Sequence, residues 1–204
     1  MEVVVLTVDQ DGSREGTDQV PTALEALATV ATRLPFERTV GDELQGVLDD
    51  PAALVGALER LLRAGAWNIG IGIGSVETPL PDQARAGRGP AYLAAREAVT
   101  AAKGSPWHVR AVAAEGSDSE RADGVRALES AVWLWAALLG RRTTRGWEVA
   151  DLVDQGLTYD QTASRLGITQ SAVSQRAAAA GIAEGRRARE LVAFLTRTTL
   201  GGVR

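Results

Sequence analysis

Cysteine is absent from the 204 residues, and histidine and lysine occur once each, as His108 and Lys103. Without cysteine there is no disulfide framework, no thiolate nucleophile and no Cys-ligated zinc or iron–sulfur cluster. A single histidine excludes a His-rich metal site and makes any Ser-His-Asp triad depend on His108, which stands beside Trp107 and reads as a partly buried structural residue. No stretch approaches the roughly 20 apolar residues of a membrane span. The apolar start, Val3 to Leu6, meets Asp9 too soon to be the core of a secretion signal. These absences predict a cytoplasmic protein with no membrane partner.

What the chain does contain is ordinary for a globular protein, 45% hydrophobic and 24% charged, which excludes collagen-like and wholly disordered chains. Its formal charge of -4 is unevenly spread. Residues 1–120 carry 10 basic and 18 acidic side chains, whereas residues 121–204 carry 12 and 8. A polyanion would be drawn to the second part and repelled by the first.

Residues 3–8, VVVLTV, predict a buried strand that opens at Asp9 into a polar loop. From Pro21 the positions Leu24, Leu27, Val30, Ala31 and Leu34 keep helical spacing, and Pro35 is expected to stop that helix. Phe36 to Val40 and Leu44 to Leu48 read as a hairpin around Gly41-Asp42-Glu43. A helix from Pro51 through Leu62, capped by Gly65, leads into WNIGIGIGSV. That strand has isoleucines on one face and bare glycines on the other, which lets a backbone, helix or ligand come close. A Pro/Gly/Arg-rich loop over 77–89, whose Arg85 and Arg88 could reach a phosphate but read first as solvated, a helix over 90–103 and a strand from Trp107 to Ala114 follow. The order βαββαβ plus αβ predicts an α+β fold, a ferredoxin-like or cyclase-like palm over residues 1–118. The polar stretch 115–123 is the expected boundary to an all-α domain over 122–204. There Val125 to Leu139 is apolar all round, and it is expected, with the helix over 186–197, to form core or the joint of a homodimer.

Residues 158–180, TYDQTASRLGITQSAVSQRAAAA, carry the most specific pattern. Thr158 with Gln161 makes a capping box, Ala163 is small where two helices cross, Gly167 permits a sharp turn and Thr169 caps a second helix. Leu166, Ile168 and Val173 supply the shared core. The segment, particularly SRLGITQSAVSQR, resembles the helix-turn-helix of bacterial repressors and sigma factors. That resemblance implies double-stranded DNA as partner, with Thr169, Gln170, Ser171, Ser174 and Gln175 at the reading helix and Arg165, Arg176, Arg186, Arg187 and Arg189 on phosphates.

Asp9 at a strand end and Asp42-Glu43 at a hairpin tip fall on neighbouring strands of such a sheet. Converging carboxylates need a cation or proton between them, and hard oxygen ligands favour Mg²⁺. A strand ending in Asp and a hairpin bearing Gly-Asp-Glu resemble the metal-binding places of nucleotide cyclase palms. More closely, the chain resembles the SatD family across most of its length: Asp9 to Ser13-Arg14, Gly41-Asp42-Glu43-Leu44-Gln45, GIGIGSV, and GRGPAYLAAR ending at Arg96. Leu44 stands where that family has Phe. The resemblance implies metal ligation by Asp9, Asp42 and Glu43, contacts to a nucleotide or cyclic nucleotide from Ser13, Arg14, Gln45 and Arg96, and a C-terminal DNA-binding region. Tyr92, four residues before Arg96, occupies the place of the transition-state Asn of adenylate-type cyclases. The expectation is therefore a regulator that senses a nucleotide without catalysis; a metal-dependent nucleotide-processing enzyme is the second reading.

Overall fold

A computed structural model describes residues 1–12 and 16–201 of the chain. At its centre lies β1 (Glu2–Gln10), which is apolar on both faces: Val4, Leu6 and Val8 enter one core, Val3 and Val5 another. β3 (Glu43–Leu48) and β4 (Trp67–Ser75) flank it, both antiparallel. β2 (Leu34–Arg38) pairs with β3, and β5 (Val109–Ala113) runs parallel to β4, so the sheet order is β2-β3-β1-β4-β5. With eight α-helices among the described residues this makes an α+β molecule whose sheet is mixed.

Each face of the sheet is covered for a reason visible in its residues. On the isoleucine face of β4 lie α1 (Val20–Leu27), α2 (Pro51–Ala64), α4 (Ser119–Leu139) and α8 (Ile182–Gly201), all contributing to one core. On the glycine face lies α3 (Pro90–Ala102). A Cβ on Gly70 would stand 2.3 Å from the Val99 amide nitrogen, and one on Gly72 2.3 Å from the Ala91 carbonyl oxygen. What approaches the bare strand is a helix backbone, and Ala91, Ala95 and Ala98 are small and buried for the same reason.

Two expectations about extent need correction. The first helix ends at Leu27, and Leu34 belongs to β2, because Arg33 N–H donates to Val47 O and Leu34 pairs with Val47. Pro35 is tolerated there because β2 is an edge strand. The stretch 115–123 does not separate two cores. α4 begins inside it, capped by Asp118, and Val125, Leu128, Val132 and Trp135 share a core with Ile69, Ile71 and Ile73. The apolar girth of α4 is thus largely explained by the sheet and by α8.

Among the described helices, α5 (Thr144–Asp154), α6 (Tyr159–Leu166) and α7 (Gln170–Ala179) have a core apart from the sheet, built from Val149, Ala150, Val153, Ala163, Val173, Ala177 and Ala180 and closed by Ile182 at the start of α8. The chain leaves the sheet layer and returns to it at nearly one point. Arg142 Nε donates to Ala180 O at 2.8 Å, and Leu138 lies against Gly181. Among the described residues no helix is long and apolar enough to cross a membrane.

Candidate nucleic-acid interface and ligand pocket

The α6–α7 pair is shaped by local chemistry. Thr158 Oγ1 accepts from Gln161 N–H at 3.2 Å while Gln161 Oε1 accepts from Thr158 N–H at 2.9 Å, completing the capping box. Gly167 ends α6 at φ +65°, a left-handed conformation that favours glycine. Thr169 Oγ1 then caps α7 by accepting from Ala172 N–H at 3.1 Å. Val173 and Ala177 turn inward, which leaves Gln170, Ser171, Ser174 and Gln175 exposed along one side of α7. Arg165 of α6 is exposed and Arg176 is half-buried.

Acidic charge on this unit is neutralised where it meets the rest of the molecule. Asp151 receives a bidentate pair from Arg63 of α2 at 2.7 and 2.8 Å. Asp154 and Glu59 share Arg189, at 2.6 and 2.5 Å. Trp147 is held between the guanidinium groups of Arg63 and Arg142, 4.3 and 4.7 Å from its ring centre. These contacts correct one expectation: Arg189 is an inward tie across elements, not a phosphate contact. Arg186 is exposed, and Arg187 is exposed and paired with Glu190 at 2.7 Å.

At the far end of β1, Asp9 stands opposite Glu43 in the strand register, next to Asp42. Of the three carboxylates, Asp9 takes a cation that the chain itself supplies. Lys103, just past α3, reaches Asp9 at 2.8 Å, and its pKa is raised by that hydrogen bond and by the charges of Asp9, Asp42 and Glu43. Glu43 also accepts from the Thr39 hydroxyl at 2.6 Å. Among the described residues no group of three His, Cys, Asp or Glu side chains is arranged to hold a metal ion. The donor set therefore fits Mg²⁺ poorly. Ser13 and Arg14 lie outside the described residues.

Gln45 and Arg96, expected to touch the same ligand, do come together. They line a pocket of about 510 Å³ on the glycine face of the sheet, between α3 and the loop that precedes it. Gln45 is buried and donates from Nε2 to Thr7 Oγ1 at 2.8 Å. Three other residues line this wall: Arg85 and Arg88, read from sequence as solvated, and Tyr92, read only as standing in place of an Asn. The arginines look solvated in sequence because only the folded loop turns them toward α3. His108 is exposed, with Nδ1 2.9 Å from Asn68 Oδ1. Comparison with protein families, curated proteins and solved structures finds no match to the chain.

Proposed function

We propose that the chain is a DNA-binding transcriptional regulator of the SatD kind, in which α5–α7 present a helix-turn-helix and the sheet is a ferredoxin-like, cyclase-like palm that senses a nucleotide. One observation carries the DNA reading: α7 exposes a polar Gln/Ser side and Arg165 of α6 is exposed, while Asp151 and Asp154 are neutralised by Arg63 and Arg189. Gln can pair bidentately with adenine and Ser with several bases, so this face suits the major groove. The meeting of Gln45 and Arg96 in one pocket supports the sensor role. Lys103 on Asp9 disfavours the metal-dependent enzyme, for which labelled ATP or GTP incubated with Mg²⁺ should yield no product.

The test uses the full chain, since α4 and α8 belong to the sheet core. Gln170→Ala or Gln175→Ala should relax sequence preference at a cost of ~1–3 kcal/mol each. Arg165→Ala should instead weaken all sequences alike and flatten the salt dependence. Failure of the full chain to shift any genomic fragment at low salt sinks the reading. Leu134 of α4 and Leu191 and Phe194 of α8 are exposed large apolar residues, which supports the expected homodimer across two half-sites. Light scattering should give twice the mass of one chain.

A further inference from the structure

We propose that the pocket between α3 and the loop before it is a metal-independent binding site for a small phosphomonoester of about mononucleotide size, gripped by Arg88 and Arg96 and reached by the Tyr92 hydroxyl. The inference deepens the sensor reading and rests on it; it does not depend on DNA binding.

Three guanidinium groups and one carboxylate, Glu77, line the pocket. Arg85 is tethered: its N–H donates to Glu37 Oε1 at 2.9 Å and its Nε to Gln83 Oε1 at 3.1 Å. Neither Arg88 nor Arg96 forms an ion pair among the described residues, and both are exposed to the pocket's solvent. Planar guanidinium groups match phosphate oxygens two at a time, which makes arginine the favoured side chain for such anions. α3 begins here at Pro90 with no acidic residue in its first turn, so the partial positive charge of its end adds to theirs.

Tyr92 is the independent sign of a ligand. The residue is only 8% exposed, lines this pocket, and its hydroxyl is buried without a hydrogen-bond partner among the described residues. A buried unpaired donor is costly and asks for a partner. Burial, and secondarily the charge of Glu37, hold its pKa up, so the phenol keeps its proton and donates. The surrounding loop is shaped to admit the ring. A Cβ on Gly87 would fall 1.8 Å from the Tyr92 oxygen, and Gly89, at φ +124°, has no room for one against Val76. Glu77 N–H donates to Arg88 O at 2.9 Å, which fixes the loop carrying Arg88 beside the strand end. Glu77 then offers acceptor oxygens to the hydroxyl groups of a sugar. The volume, about 510 Å³, lies within the range of small-molecule sites.

Calorimetry and thermal melting of the full chain in EDTA test this, with inorganic phosphate, ribose 5-phosphate, purine and pyrimidine 5′-mononucleotides, and the matching nucleosides. The phosphomonoesters should bind and raise Tm, the nucleosides should do neither, and added Mg²⁺ should change nothing. Arg88→Gln together with Arg96→Gln should lower affinity at least tenfold. Tyr92→Phe removes only the oxygen; it should leave the free protein's Tm intact or slightly raised and still weaken binding by about tenfold, the factor expected of one hydrogen bond to a charged group. Indifference to every phosphate, unchanged affinity in Tyr92→Phe, or inorganic phosphate binding as tightly as the esters would overturn the assignment. DNA binding in a protein that ignores all these ligands would remove the sensor while leaving the helix-turn-helix; a ligand response without DNA binding would do the reverse.

Discussion

Lys103 shows how one side chain redirects a functional expectation. The placement of Asp9 against Glu43 is legible in the sequence, because strand register alone sets it. The identity of the cation was not legible, since it depends on where α3 ends over the sheet. Lys103 is more than half exposed, so its pairing contributes at most about 1 kcal/mol. Its pKa is raised above the ordinary 10.5, so the contribution is present at neutral pH and is lost as pH climbs through the raised value. Melts of wild type and Lys103→Met should therefore differ at pH 7 and converge at strongly alkaline pH. Parallel pH profiles would show that the pair forms no part of the folded state. Arg189 teaches the same lesson with opposite sign. Its neighbours in sequence are basic, but its partner Glu59 lies 130 residues away, and no local pattern announces it.

Elements whose signals are local were readable, and those that depend on distant strands were not. The capping box of α6, the turn at Gly167 and the cap of α7 each involve residues within four positions of one another, and all three stand as the sequence predicts. Thr158→Ala should cost about 1 kcal/mol. Gly167→Val should cost more than that, because a β-branched residue is strained at φ +65°. Denaturant unfolding followed by helical circular dichroism reads both, and equal stability of Gly167→Val and wild type would mean that the turn is not held as described. By contrast α1 stops seven residues early because β3 captures Leu34, which helical spacing cannot foresee. α5 was not foreseen, although Thr143 caps it on Gly146 N–H and Val149 and Val153 recur at helical spacing.

At the scale of the molecule, the break in chain character at 115–123 is not the break in structure. α4 and α8 carry the apolar residues of a helical domain and use them against the sheet, and only 144–181 stands apart. Polarity made the turn at 115–118 conspicuous, whereas the true seams at Leu139 and Ile182 are short and unremarkable in composition. Arg63, Arg142 and Arg189 stitch the α5–α7 unit to α2 and α8. Arg189→Ala leaves Glu59 and Asp154 facing each other, and it should cost about 1.5–3 kcal/mol and speed amide exchange in α5–α7 ahead of the sheet. Because Arg142 meets Ala180 where the chain departs and returns, the α5–α7 unit is a cassette spliced between the two legs of a helical hairpin. Replacing 143–181 with a few glycines and serines should therefore yield a folded protein that keeps the pocket beside α3 and lacks the proposed DNA binding, and the same seam should accept a foreign three-helix unit of similar span. Two anchored ends also deny the cassette the free swivel of a domain on a single tether, so a shift between α4 and α8 would re-aim it as a whole.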